Sequence, residues 1–154
     1  MPRRYRKSRR PRDSQKMKVY RAENNAFADW PQRFKDVREV KEFMLSVMRN
    51  DYIKEQYGML GHVHISFGGN SRIAKHFFKG SSNHKFRLPT WSWYSPMILH
   101  ELSHGYTYQN HSFNGIQGHG PEFCKTYLDL VGHFIDVGAK RKLVEEFAHN
   151  KVKW

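Results

Sequence analysis

Two histidines four residues apart, His100 and His104, flank a glutamate, Glu101, in the string "HELSH". On a helix that spacing puts both imidazoles on one face, a turn apart, where both reach a single tetrahedral zinc ion. Glu101 lies one step round the helix, close to water held by the ion but outside its ligand set. A carboxylate there can take a proton from water whose pKa the metal has lowered. The chemistry indicated is metal-assisted hydrolysis, with Glu101 as general base.

Two histidines and water leave zinc short of a ligand. His119, fifteen residues after His104 in "GHGPEF", is the preferred third donor. A glycine-rich turn ahead of a proline-started helix can aim one side chain back at the preceding helix. Two competitors stand nearby. His111 falls one position beyond the third histidine of the metzincin pattern, whose ligand and glycine positions here hold Asn110 and Thr107. Glu122 could ligate, or orient a ligand through a hydrogen bond, and the orienting role is favoured. His62 and His64 share a strand face that reads as its wet side. His76, His84, His133 and His149 have no partner at ligand spacing. Cys124 reads as a small buried residue rather than a nucleophile. Tyr106 and Tyr108 are candidates for stabilising an oxyanion.

These side chains need a frame. A short helix is expected from the "DSQKMKVYRAENN" segment, capped by Asp13 or Ser14. Asp36 with Glu39 resembles a capping box, and Val40, Phe43, Met44, Val47 and Met48 recur at helical spacing behind it. Residues 62–67 alternate, which predicts a strand with Val63, Ile65 and Phe67 on one face. "RIAKHFF" and "KFRLP" predict two more strands around the turn residues "KGSSNH", and the stretch from Phe86 to Leu88 is expected to pair with an extended substrate. Ser95-Pro96 and Gly120-Pro121 predict helix starts, with Ser95 as a cap. A last helix is expected over about Ala139 to His149. Helices, a strand cluster, then helices make an α+β domain.

The chain has 154 residues, 38% hydrophobic and 15% aromatic, enough for one folded domain over residues 13–154. Its single cysteine excludes an internal disulfide and a cysteine zinc cage, and points to a reducing, cytoplasmic setting. No apolar run suits a signal peptide or a membrane span, so neither export nor membrane association is expected. The net charge of +13 is concentrated at the start: Arg3, Arg4, Arg6, Lys7, Arg9, Arg10 and Arg12 occur with no acid. Residues 1–12 thus read as a disordered basic arm suited to contact with DNA or RNA through phosphates.

The stretch "HELSHGYTYQNHSFNGIQGHGPEFC" resembles the active-site segment of the SprT/Spartan metalloproteases, in which an H-E-x-x-H helix is followed by H-G-P-E-F. A looser resemblance, to small metallohydrolases of actinobacteria and their phages, covers "RDSQKMKVYRAEN", Leu88, Pro89 and Trp91, "LHELSH", "HGPEF" and "YLDLV". These resemblances imply a minimal zincin-like fold, with His100, His104 and His119 as zinc ligands, Glu101 as catalytic base, and peptide bonds as substrate. Spartan-type enzymes cleave proteins crosslinked to DNA, which would suit the arm. Bacterial SprT-like proteins often carry a cysteine zinc ribbon that this chain lacks. A rival expectation is a basic nucleic-acid-binding or virion-associated protein with a structural or vestigial zinc site. In it Trp91, Trp93 and Tyr94 would stack on bases.

Overall fold

Side-chain caps start three of the six described α-helices. The computed structural model of the protein describes residues 11–68, 71–79, 83–111 and 115–154. Among them lie six α-helices and one three-stranded sheet, an α+β fold as expected. Helix α1 spans Lys16–Phe27, α2 Val37–Met48 and α3 Asp51–Tyr57. The Asp36 carboxylate accepts from the Glu39 N–H at 2.9 Å, and Glu39 reaches back to accept from the Lys35 N–H at 2.7 Å. This is a capping box shifted by one residue. The seven-residue α3, capped by Asn50 on the Ile53 N–H, is too short to show a hydrophobic period and was not legible in sequence.

Helix α4 runs Ser95–Asn110, α5 Pro121–Phe134 and α6 Val137–His149. Two cap expectations are corrected. Ser95 is the first helical residue, and the extended Tyr94 precedes it without a side-chain cap. Neither Asp13 nor Ser14 caps α1; their side chains reach instead to His119 and Gln117. α6 starts earlier than expected because Asp136 accepts from the Ala139 N–H at 2.6 Å.

Strands β1 (His62–Ser66), β2 (Lys75–Lys79) and β3 (Asn83–Arg87) form a sheet in the order β1-β3-β2. β2 and β3 pair antiparallel, with His76 opposite Phe86, and β1 lies parallel to β3, with Ile65 opposite Phe86. The strand expected to receive a substrate is therefore central. β3 is paired on both sides, and the Leu88 N–H is also taken, by the Ser66 carbonyl at 2.8 Å. The unpaired edge beside α4 belongs to β2.

α4 is the axle of the fold, with every residue from Ile98 to Tyr108 buried. It packs on α5 and on β2, while α1 and α5 pack on α6. Leu99, Leu102, Phe123, Tyr127 and Leu130 join one core with Val19, Met44 and Phe147. Gly105 permits the close seat of α4 on the sheet, because a Cβ there would stand 3.2 Å from Phe86 Cζ. No described helix is long and apolar enough to cross a membrane.

Candidate metal centre

Helix α4 carries His100 and His104 on one face, and the turn before α5 brings His119 against them. His104 Nε2 lies 3.2 Å from His100 Nε2, and His119 Nε2 lies 3.3 Å from it. The three are 2%, 8% and 5% exposed, so they are core residues although no core apolar function calls for them. Phe123 packs against all three rings, with centroids at 4.9, 4.3 and 5.0 Å, and closes the inner side.

Carboxylates hold the outward nitrogens of His100 and His119. Glu23 Oε1 accepts from His100 Nδ1 at 2.8 Å and from the Tyr127 hydroxyl at 2.7 Å. Asp13 accepts twice from His119, from ring Nδ1 at 2.7 Å and from the backbone N–H at 3.0 Å. Gln15 ties the same turn down: its amide donates to the His119 carbonyl at 2.8 Å and to the Lys153 carbonyl at 2.9 Å. Asp13 and Gln15 thus fasten the turn that carries His119, and Gln15 joins it to Lys153.

These contacts decide protonation. Burial pushes His119 below the ordinary histidine range, against the opposing pull of Asp13. Burial would raise Asp13, but its bonds to His119 hold it below the usual carboxylate range. A neutral imidazole donating through Nδ1 to an ionised carboxylate presents a bare Nε2 inward, which is the form a metal takes. Burial would lower His100, but the adjacent Glu23 outweighs it and keeps the imidazole above its ordinary value. A metal entering here therefore displaces a proton.

The donor set fits a divalent metal ion. Two nitrogens on a tetrahedral zinc at about 2.0–2.1 Å stand about 3.3–3.4 Å apart, and the observed separations from His100 are 3.2 and 3.3 Å. All three nitrogens fall within 4.8 Å of one another, and no other group of three or more candidate ligands converges among the described residues. Removing an orienting carboxylate typically lowers metal affinity about 10–100-fold. Asp13→Ala, at a half-buried position, should weaken zinc by that factor in competition with a chromophoric chelator and leave the far-ultraviolet circular dichroism unchanged.

Glu101 follows His100 on α4 and is 3% exposed. Burial pushes its carboxyl up to about 7; His100 and the His76 N–H pull the other way, while Glu23 adds to the rise. Its Oε2 has no hydrogen-bond partner among the described residues. The cleft beside it has two lobes. The larger, about 500 Å³, is bordered by His104, His119, Tyr108 and β2. The smaller, about 340 Å³, is bordered by His100, Trp91, Tyr94 and Met97. Glu101 and Tyr20 border both. Tyr20 packs edge-on to His119 at 5.0 Å, and burial raises its phenol above the ordinary value, so it stays protonated.

The remaining sequence candidates fall elsewhere. His111 is exposed at the end of α4, and His62 and His64 are exposed on β1. Glu122 sits in the first turn of α5, and its carboxylate makes no hydrogen bond to the three imidazoles among the described residues. His76 and His84 do have a partner, namely each other. His76 Nε2 and His84 Nδ1 are 2.8 Å apart, and His84 Nε2 meets Gln109 Oε1 at 2.9 Å. Pairing of β2 with β3 brings together two histidines that sequence spacing kept apart. Tyr106 is wholly buried against Tyr57, whereas Tyr108 stacks on His104 at 5.7 Å. Cys124 is buried and its thiol is pushed up to about 12 by burial, so it is no nucleophile. Arg12 is exposed, while Arg3, Arg4, Arg6, Lys7, Arg9 and Arg10 lie outside the described residues.

Sequence reading missed Glu23, Asp13 and Tyr20. A signal existed for Glu23. It shares the apolar stripe of α1 with Val19, Ala22, Ala26 and Phe27, and an acid on a buried stripe calls for a partner.

Compared with models of known protein families, with curated proteins and with solved structures, the chain matches none.

Proposed function

We propose that this chain is a zinc-dependent metallopeptidase of minimal zincin-like fold, with His100, His104 and His119 as ligands and Glu101 as general base. The observation that carries the reading is the junction of the histidine triad with an open cleft at Glu101, where a buried carboxylate oxygen lacks a donor. Structural zinc sites close the ion with four protein donors, whereas hydrolytic sites use three and leave access. Three donors and a cleft fit the second kind. The likeness of "HELSH" and "HGPEF" to the SprT/Spartan segment agrees with it.

When bound, zinc supplies Lewis acidity, polarising a carbonyl and making water easier to deprotonate. The chain's residues do the rest. Glu101 accepts the water proton at Oε2 and returns it to the leaving amine, work for which a pKa near 7 is suited. Glu23 and Asp13 keep two imidazoles in a fixed ring orientation. The edge of β2 that no described strand pairs lies along the larger lobe, and beyond the His76 N–H, which Glu101 takes, it offers backbone groups to an extended polypeptide.

The test is incubation of the zinc-loaded chain with a disordered protein, read by mass spectrometry. New internal termini are expected, and none with His104→Ala. No cleavage by the wild type across a panel of unfolded proteins would remove the peptidase reading. Tyr20 offers a hydroxyl with no hydrogen-bond partner among the described residues at the junction of the two lobes. It is placed to donate to an oxyanion there. Tyr20→Phe should lower kcat about 100-fold with little change in KM; a KM effect alone would assign it to substrate binding.

A further inference from the structure

The two lobes differ in chemistry. The smaller one, bordered by Trp91, Tyr94, Met97 and, shared with the larger, Ile73, exposes the more apolar wall. Ile73 and Trp91 are 60% and 41% exposed, which leaves two large apolar surfaces facing water at one mouth. Such surfaces grouped at a cavity mark a binding site more often than a fold requirement. The wall is also preformed. Trp91 Nε1 donates to the Ser71 carbonyl at 3.0 Å, and the Arg33 guanidinium donates to the carbonyls of Thr90 and Trp91 at 3.2 and 2.6 Å. Binding there costs little ordering of the receptor.

Three exposed cations border the cleft. Lys16 and Arg72 border the smaller lobe, and Lys16 and Lys75 the larger. None of the three forms an ion pair with an acid among the described residues. The acids nearby are committed: Asp13 to His119, Glu23 to His100, and Glu101 buried at the floor. Lys16, Arg72 and Lys75 reach solvent, whereas Glu23 and Glu101 are buried and only Asp13 is part-exposed, so the mouth favours anionic groups over cationic ones.

We infer that the cleft selects an extended polypeptide carrying a large apolar side chain, phenylalanine or leucine in kind, between acidic residues. The apolar side chain enters the Trp91–Met97 lobe, and the acids meet Lys16, Arg72 and Lys75. This deepens the peptidase reading and rests on it, since it takes Glu101 as the point the scissile bond must reach.

Binding and cleavage are measured separately. Zinc-loaded full-length Glu101→Gln is titrated with three labelled octapeptides, followed by fluorescence anisotropy. One has phenylalanine between glutamates, one has alanine in place of the phenylalanine, and one has lysines in place of the glutamates. The first should bind about ten-fold tighter than the second, the range one large apolar contact supplies. It should also bind several-fold tighter than the third, by a margin that shrinks with salt. Adding Trp91→Ala should erase the first difference, and Trp91→Phe should restore most of it. Arg72→Glu with Lys16→Glu should erase or reverse the second. Both sites are exposed, so folding is not at stake.

Equal binding of the three peptides, or differences untouched by these substitutions, overturns the inference. Cleavage of disordered protein by the wild type without this preference leaves the peptidase reading standing and sinks the selectivity. The preference without any wild-type cleavage does the reverse.

Discussion

Glu101→Gln is expected to abolish hydrolysis while the protein still binds zinc stoichiometrically. Glutamine keeps the size and polarity of the side chain but cannot take a proton. The loss should reach about a thousand-fold in kcat, within the span attributed to a positioned general base. Glu101 is not among the three converging donors, so metal content should not fall. Removing the buried carboxyl also removes a group costly to ionise in the core, so stability should hold or rise slightly. Progress curves on a quenched protein substrate, beside metal analysis of the same sample, give both numbers. Wild-type turnover in Glu101→Gln would refute the assigned base outright.

The second large effect is on stability. Three buried imidazoles aimed at one point repel unless a proton or a cation joins them. A metal that binds only the folded chain stabilises it by about 4 kcal/mol at a thousand times its Kd. For a domain of this size that raises Tm by about 8–16 °C. Calorimetry should show that rise on adding zinc to chelator-treated protein. His104→Ala, which leaves two of the three donors, should lose most of it. An equal rise in the variant would mean that zinc binds elsewhere.

The parts of the site legible in sequence are those whose geometry is local. His100 and His104 are one helical turn apart, so spacing alone puts them on one face, and His119 stands directly before the Gly120-Pro121 start of α5. The orienting carboxylates are a different matter. Glu23 lies 77 residues from His100 and Asp13 lies 106 from His119, so only tertiary packing, with α1 seated on α6, joins them. Asp13 misled because aspartate just before a helix is also the commonest kind of cap. The His76–His84 contact depended on strand register, and alternation alone does not reveal register.

The fold divides along the same line. The caps at Asp36, Gly120 and Asp136 bound their helices through bonds within three or four residues. Sheet order is non-local. β2 and β3 pair antiparallel, and β1 adds to the outer edge of β3 rather than that of β2, which makes the strand expected to meet substrate the central one. α4 was readable from its motif rather than its hydrophobic pattern. Every residue from Ile98 to Tyr108 is buried, so no polar face alternates with an apolar one to reveal the helical period.

The central claim is that three imidazoles hold one metal ion, and X-ray absorption at the zinc edge of the loaded protein tests it most directly. Three imidazole nitrogens are expected at about 2.0–2.1 Å with one further light donor, and two imidazoles in His119→Ala. A spectrum with a sulfur donor, or one unchanged by His119→Ala, would contradict it.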